Sequence, residues 1–200
     1  MQHHGDKMII AKPATTSQCE YACKNYHYSK RCPPYVYAYS FYNDNRFCGV
    51  ITFGNANRAG GIRFNLLQGE CLELNRCALN GQQICTSKCV SLAIKQLKKQ
   101  APHVKLLVSY ADSRQGHIGT IYQATNWFYD GVSICTPGYM IDGQFVHKRN
   151  LWSYDKQRLR QKNIEKIKPM PKHRYYYPLN DELKKQLNEI KKPYPKKKSD

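Results

Sequence analysis

The sequence predicts an α/β or α+β protein in which helices pack on a central sheet. Segments rich in aromatic and β-branched residues alternate along the chain with stretches of helical periodicity, and no repeat is detected. Residues 104–110, VKLLVSY, form an apolar run typical of a strand buried on both faces. A chain of 200 residues is long enough to bury one core of this kind.

The first third of the chain is predicted to form a helix and a β-hairpin. Ser17 and Glu20 fit the S-x-x-E capping box, and the helix that follows should end near Tyr26. Two aromatic and β-branched segments, 35–42 and 46–54, flank the turn residues Asn43-Asp44-Asn45. The Gly- and Asn-rich stretch 54–65 is expected to be a loop.

The middle of the chain is predicted to alternate strands and helices. A strand over 72–79 precedes a helix capped by Thr86 and ended by Pro102, and the strand 104–110 follows. Ile118, Ile121, Tyr122 and Thr125 recur at helical spacing, ending near Gly131. Residues 132–135 and 139–147 should complete the sheet, with Asp142-Gly143 as a hairpin turn. The helix after Thr86 should bury one face: Cys89, Val90, Ala93, Ile94 and Leu97.

The charge predicts an anionic partner. The net charge is +18, and residues 151–200 carry 15 Lys and Arg against 6 Asp and Glu. No segment is apolar enough to span a membrane, so nucleic acid is favoured over a lipid surface. We therefore expect one domain over residues 8–154 and a basic C-terminal extension over 155–200 that contacts phosphates, its last residues disordered. Removing residues 180–200 should lower DNA affinity and its salt dependence without abolishing the fold.

The N-terminus and the cysteines predict a cytoplasmic protein. The first residues lack the pattern of a secretory signal, and translation could start at Met1 or Met8. Nine cysteines, an odd number, fit reduced thiols better than a disulfide framework. Cys19-x3-Cys23-x3-His27 and Cys85-x3-Cys89 approach zinc-ligand spacing, but without a C-x2-C pair this signal is weak.

Two polar clusters are candidate sites. Ser109 and Asp112 lie at the end of the apolar strand, and Arg114 and His117 follow in the loop, where open α/β sheets bind ligands. The structural alternative is that Asp112 caps a turn and His117 a helix. The second cluster is the segment 26–31, YHYSKR, which fits metal ligation, stacking on a base, or simple packing of a histidine.

A weaker signal is the start of the helix at Thr86. Its free backbone N–H groups, with Ser87 and Lys88, could hold an anionic cofactor, although every helix has such an end.

Three segments together resemble the phage Mom-like family of DNA modification proteins: YHYSKR (26–31), SYADSRQGHIGTIYQATNWFYDG (109–131) and PKHRYYYPL (171–179), with PYPK at 193–196. The resemblance covers roughly residues 8–196. It implies a Gcn5-related N-acetyltransferase-like fold with a central mixed sheet flanked by helices. It also implies an enzyme in the bacterial host cytoplasm that converts adenine in double-stranded DNA to N6-(carbamoylmethyl)adenine, protecting the DNA from restriction endonucleases.

The resemblance also assigns site residues. The family's functional positions match His27, Tyr28, Arg76, Ser87, Asp112 and Tyr122, and iron is suggested with His27, Tyr28 and Tyr122 as candidate ligands. With the residue-based candidates, the expected catalytic set is Asp112, Tyr122, His27 and Tyr28, and the expected cofactor-binding set is Arg76, Ser87, Lys88 and Ser109. The expected nucleic-acid contacts are Lys30, Arg31, Arg114, His117, Lys172, His173 and Arg174.

The donor is left open by the sequence. Acetyltransferases of this fold carry a glycine-rich pyrophosphate loop before the helix that here begins at Thr86, and NGQQICTSK (80–88) retains only Gly81. Acetyl-CoA and aminoacyl-tRNA both stay open as donors. Two other functions also stay open: a non-enzymatic basic DNA-binding protein, and an acetyltransferase-fold enzyme acting on tRNA or protein.

Overall fold

The computed structural model describes residues 9–133, 138–147, 151, 164–167 and 171–197. The strands in these ranges are β1 Ile9–Pro13, β2 Tyr37–Asn43, β3 Arg46–Asn55, β4 Cys71–Leu79, β5 Leu106–Asp112, β6 Phe128–Ser133, β7 Gly138–Ile141, β8 Gln144–His147, β9 Ile164–Ile167 and β10 Lys172–Pro178. The helices are α1 Thr16–Tyr26, α2 Arg58–Ile62, α3 Thr86–Gln100, α4 Thr120–Gln123 and α5 Asp181–Ile190, with a 3-10 turn over Ser113–Gln115.

A seven-stranded mixed sheet forms the centre, in the order β1-β2-β3-β4-β5-β10-β6. β4 and β5 run parallel, and the other neighbours in this sheet are antiparallel. A parallel pair needs a crossover, and α3 provides it. The predicted fold class, a mixed sheet flanked by helices, is confirmed.

Helices cover both faces of the sheet. The five residues predicted to form the apolar face of α3 are all buried, and they pack with Ile51, Leu72 and Leu107. Cys19, Ala22 and Cys23 of α1 pack on the opposite face against Val50 and Ala78. Val50 and Ile51, which are consecutive in β3, thus contact different helices, because successive side chains in a strand point to opposite faces of the sheet.

Both predicted hairpins are present, but they lie in different sheets. Asp44 and Asn45 join β2 to β3 with φ of 48° and 63°, and Asp142 and Gly143 join β7 to β8 with φ of 49° and 75°. The β7–β8 hairpin pairs with β9 in a separate three-stranded sheet. The prediction that it completes the central sheet is wrong, because β10 occupies the place beside β5 and β6.

The helix starts and one helix length differ from the predictions. Thr15, not Ser17, caps α1: its hydroxyl accepts the Gln18 N–H at 3.3 Å, and the Gln18 side chain accepts the Thr15 N–H at 3.0 Å. Cys85 is the N-cap of α3, so Thr86 is already helical. α4 is a single turn, because Asn126, at a φ of 60°, turns the chain into β6.

The C-terminal residues belong to the central sheet. β10 pairs with β5 on one side and β6 on the other, and Leu183 and Leu187 of α5 are buried against Leu106 and Val108. A boundary at 154/155 therefore does not separate a folded domain from an appended tail. Residues 198–200, the end of the segment expected to be disordered, and both Met1 and Met8 lie outside the described residues.

Within the described part of the chain, no helix is long and apolar enough to cross a membrane. The eight described cysteines are free thiols, as predicted, and Cys48 and Cys89 are buried.

Candidate active site

A cavity opens where β4 and β5 separate. The two strands pair only over Cys71–Glu73 and Leu106–Val108, and a bulge at Asn75 then bends β4 away. The resulting cavity has a volume of about 1250 Å³. Because it lies at the carboxyl ends of two parallel strands, side chains from both faces of the sheet reach it.

Eight of the residues predicted to be functional line this cavity, although they come from distant parts of the chain. They are His27, Tyr28, Arg76, Asp112, His117, Tyr122, Lys172 and Arg174. Ser109 lies directly behind Tyr122. The described walls do not include the other predicted site residues: Lys30, Arg31, Ser87, Lys88, Arg114 and His173.

His27 follows the end of α1 and is held as a neutral ring. The backbone N–H of Ser29 donates to Nδ1 at 3.1 Å, and the Ser29 hydroxyl lies 2.8 Å from the same nitrogen. The ring proton is therefore on Nε2. Burial and, to a smaller extent, the nearby Arg76 cation together lower the pKa of His27 to about 4. At neutral pH, His27 is a hydrogen-bond donor through Nε2 without a charge.

Tyr28 is an exposed aromatic ring at the cavity. Its side chain is 48% exposed, its ring lies 4.3 Å from that of His27, and its ring meets His117 edge-on at 5.9 Å. Burial of the hydroxyl and the Asp112 carboxylate raise the pKa of Tyr28, so it stays protonated at neutral pH. A flat ring supported on two sides is suited to stacking on a nucleobase.

Asp112 ends β5 with one carboxylate oxygen committed to structure. Oδ1 accepts the Arg114 backbone N–H at 3.0 Å, and Oδ2 lies 3.5 Å from Lys172 Nζ on β10. Asp112 and Lys172 are direct partners in the β5–β10 register, which fixes this contact. Asp112 therefore caps the turn through Oδ1 and faces Lys172 in the cavity wall through Oδ2.

Tyr122 and Ser109 form a hydroxyl relay beneath the cavity. Ser109 Oγ lies 2.8 Å from the Leu74 carbonyl and 2.7 Å from the Tyr122 hydroxyl. Because a carbonyl can only accept, Ser109 gives its single hydrogen to Leu74, and Tyr122 donates to Ser109. Burial raises the pKa of Tyr122 well above its usual value. Ser109 thus positions the Tyr122 hydroxyl.

Arg76 adds a fixed cation to the wall. Its Nε donates to the Arg31 carbonyl at 3.0 Å, and its Nη1 donates to the Asn75 carbonyl at 2.6 Å. Both acceptors are neutral, so these bonds orient the guanidinium without cancelling its charge. Arg31 contributes through its backbone.

The C-terminal residues form a second wall that the sequence did not reveal. We call residues 191–197 the C-terminal strap. The Lys192 N–H donates to Tyr129 O, the Tyr194 hydroxyl donates to Trp127 O at 2.7 Å, and Gln123 of α4 donates to Pro195 O at 3.3 Å. The strap covers the edge strand β6 and brings Lys197 to the cavity. A run of Lys and Pro gives no sequence signal for such a path.

The described residues do not form a site for a metal with the usual side-chain ligands. Across these ranges, no three His, Cys, Asp or Glu side chains converge in a suitable arrangement. The proposed zinc spacings are explained by packing, since Cys19, Cys23 and Cys89 are buried in apolar clusters. The Nδ1 atom of His27 is already hydrogen-bonded to Ser29, and the Tyr122 hydroxyl to Ser109, so the iron suggested by the resemblance finds no support here.

The fold and the cavity define a protein of the acetyltransferase fold. The polyamine N-acetyltransferase of Drosophila melanogaster, which catalyses the formation of N-acetylagmatine, matches with a TM-score of 0.51 at 9% identity, over 86% of this chain and 100% of that one. At this identity the likeness concerns the fold alone.

The family is shown by sequence. The model of the Mom protein family matches residues 8–196, and the chain belongs to that family. A curated relative, the methylcarbamoylase Mom of Escherichia phage Mu, is 28% identical over 185 residues, covering 85% of this chain and 76% of the relative. The resemblance stated from the sequence is confirmed.

Proposed function

We propose that this protein is a transferase that converts adenine in double-stranded phage DNA to N6-(carbamoylmethyl)adenine and so protects the DNA from host restriction endonucleases. The observation that carries the proposal is the cavity between β4 and β5, which unites His27, Tyr28, Asp112 and Tyr122 in a chain of the Mom protein family. The phage Mu relative bears the name methylcarbamoylase, which supports a transferred group that contains a carbamoyl unit.

The substrate base has to leave the helix. Adenine N6 is paired inside a duplex, so an enzyme that modifies it extrudes the nucleotide into a pocket. The half-exposed Tyr28 ring offers a surface on which the extruded base stacks, and the neutral His27 offers an Nε2–H for an acceptor nitrogen of adenine. Lys172 and Arg76, both in the cavity wall, supply positive charge near the sugar and phosphates.

Asp112 and Tyr122 are assigned the proton transfers. A bond forms between adenine N6 and the carbonyl carbon of a glycyl ester, and the bond from that carbon to its leaving oxygen breaks. The glycyl group has the same atoms as carbamoylmethyl, and it becomes carbamoylmethyl when its amino nitrogen bonds to adenine C6 and the bond from C6 to the amide nitrogen breaks. The N6 proton passes to Asp112, whose Oδ2 faces Lys172. Tyr122, protonated at neutral pH, gives its proton to the leaving atom, and Ser109 holds the hydroxyl in position beforehand.

Of the two donors left open by the sequence, acetyl-CoA and an aminoacyl-tRNA, we propose the aminoacyl-tRNA, because a glycyl ester carries all atoms of the carbamoylmethyl group and acetyl-CoA lacks its nitrogen. Both carry phosphates, and the net charge of +18 favours both. In the described structure, the cavity walls include neither Ser87 nor Lys88. Ser87 Oγ instead lies 2.9 Å from Cys85 Sγ at the start of α3. We therefore place the reacting end of the donor beside α4, near Tyr122.

The test is nucleoside analysis of plasmid DNA by mass spectrometry from cells expressing the protein. Wild type should yield carbamoylmethylated adenine, and Asp112→Asn and Tyr122→Phe should lose at least about 99% of it if each residue transfers a proton. Tyr139→Phe, in the separate three-stranded sheet, is the matched control and should retain full product.

The outcomes separate the rival functions. Unmodified adenine in wild type with intact DNA binding would favour the non-enzymatic DNA-binding protein. Acetyl transfer to tRNA or protein without DNA modification would favour the other acetyltransferase-fold function. Feeding cells with labelled glycine or labelled acetate then shows which donor contributes the carbon atoms of the product.

A further inference from the structure

Two arginines converge on one buried aspartate beside the cavity. Arg63 Nη1 lies 2.7 Å from Asp130 Oδ1, while Arg174 binds Asp130 Oδ2 through Nε, at 2.7 Å, and through Nη2. The Asp130 side chain is only 5% exposed, whereas that of Arg63 is 45% exposed. Arg63 lies after α2, Asp130 on β6 and Arg174 on β10, so three distant segments build this cluster.

The cluster carries one more positive charge than its buried carboxylate can neutralise. One cation would be enough to compensate Asp130, and the second leaves a net charge of +1. Each guanidinium has five N–H donors, and no more than two on either arginine contact Asp130. Among the described residues, the Arg63 side chain makes no other hydrogen bond, and its guanidinium lies 5.9 Å from the centre of the Phe64 ring. An anion with several acceptor oxygens is the complementary ligand.

The cluster adjoins the cavity, because one of its arginines is part of the cavity wall. Arg174 itself lines the cavity, together with Lys172 two residues earlier on β10. Residues two apart in a strand point to one face and are about 6.8 Å apart. Lys172, Arg174 and Arg63 therefore form a row of cations leading away from the place where Asp112 meets Lys172.

We propose that Arg63 and Arg174, held by Asp130, bind a backbone phosphate of the DNA strand whose adenine enters the cavity. The assignment of the phosphate to DNA depends on the proposed function. Arg63 and Arg174 contact the ligand, and Asp130 acts as a positioning residue. The same contact fixes the strand relative to Tyr28 and Asp112, because a phosphate contact sets register without reading sequence.

The test measures binding of a fluorescent duplex oligonucleotide at several salt concentrations, with the full-length protein and no donor. Arg63→Gln should weaken binding severalfold and lower the slope of log K against log salt by about 0.9, the value for one lost phosphate contact. The Asp130–Arg174 pair stays intact in this variant, so its melting temperature should stay close to that of wild type. Arg46→Gln, an exposed arginine in the β2–β3 hairpin, is the matched control.

Asp130→Asn distinguishes the proposed site from a diffuse basic surface, because the two predict opposite changes in DNA affinity. It adds one unit of positive charge, so a diffuse basic surface would bind DNA more tightly. The proposed site predicts weaker binding, because Arg174 and Arg63 lose their common anchor. Its melting temperature is measured in parallel, and Arg63→Gln decides the matter if Asp130→Asn does not fold.

Two results would overturn the phosphate site: an Arg63→Gln slope and affinity equal to those of Arg46→Gln, or tighter binding by folded Asp130→Asn. These results are distinct from a failure of the proposed function. If Arg63→Gln lowers the salt dependence of DNA binding but wild type yields no modified adenine in plasmid DNA, the phosphate site stands and the proposed modification reaction is refuted.

Discussion

Deleting residues 181–200 removes part of the core as well as positive charge. Leu183 and Leu187 of α5 are 3% and 1% exposed and pack on Leu106 and Val108. Truncating one buried leucine to alanine costs about 3–5 kcal/mol, so losing both should cost about 6–10 kcal/mol. A domain of this kind has only about 5–15 kcal/mol in total. We expect the deletion protein to lack a cooperative unfolding transition.

The measurement is thermal and urea unfolding followed by circular dichroism. Deletion of residues 198–200 is the control, because it leaves every contact described above in place. A 181–200 deletion that melts cooperatively within a few degrees of wild type would refute the assignment of α5 to the core. It would also restore the view, taken from the charge alone, that the tail is dispensable for the fold.

Deleting residues 193–200 separates the strap from the core. α5 remains, but the Tyr194–Trp127 and Gln123–Pro195 hydrogen bonds are lost together with Lys197. Two such bonds contribute about 1–3 kcal/mol. The protein should therefore fold with a lowered melting temperature and a reduced yield of modified adenine. Unchanged product would show that the strap serves β6 only.

Three other substitutions give distinct expectations. Tyr122→Phe removes the donor to Ser109 Oγ and should cost about 1 kcal/mol in urea unfolding while abolishing product, so an active variant would exclude Tyr122 from proton transfer. The pKa of His27 is about 4 in the folded protein and about 6.5 in the unfolded chain, so the unfolded chain binds the extra proton more readily. The free energy of unfolding should therefore be highest above pH 6.5 and fall by about 1–2 kcal/mol towards pH 4, after allowance for solvent screening. His27→Gln should flatten this part of the pH profile, and parallel curves would contradict the burial of a neutral ring. Gly119→Ala should unfold at a markedly lower temperature, since Gly119 has a φ of 84° and an added Cβ would lie 2.3 Å from the Tyr175 ring; an unchanged melting temperature would show that this turn can relax.

The elements that the sequence predicts well are those specified by local patterns. The period of α3, the apolar run of β5 and the two hairpin turns each depend on neighbouring residues only. The position of β10 depends on pairing with β5 across about sixty residues. Its Tyr175 and Tyr176 are both buried, yet they lie in a basic stretch whose charge suggests a solvated tail. A burial pattern on both faces of a strand does not alternate, so periodicity could not reveal it.

In the candidate site, too, the sequence alone does not show which charged side chains reach the cavity. Lys30 and Arg31 stand in a basic run, but the described cavity walls include neither side chain; Arg31 contributes its carbonyl oxygen to Arg76. Arg63 stands in a Gly- and Asn-rich segment without any basic run, yet it meets Asp130 beside the cavity. What a cation does depends on whether its partner across the fold cancels its charge or only fixes its position. Arg76 bonds to neutral carbonyls and Arg63 shares one carboxylate with Arg174, so both retain charge for an anionic substrate.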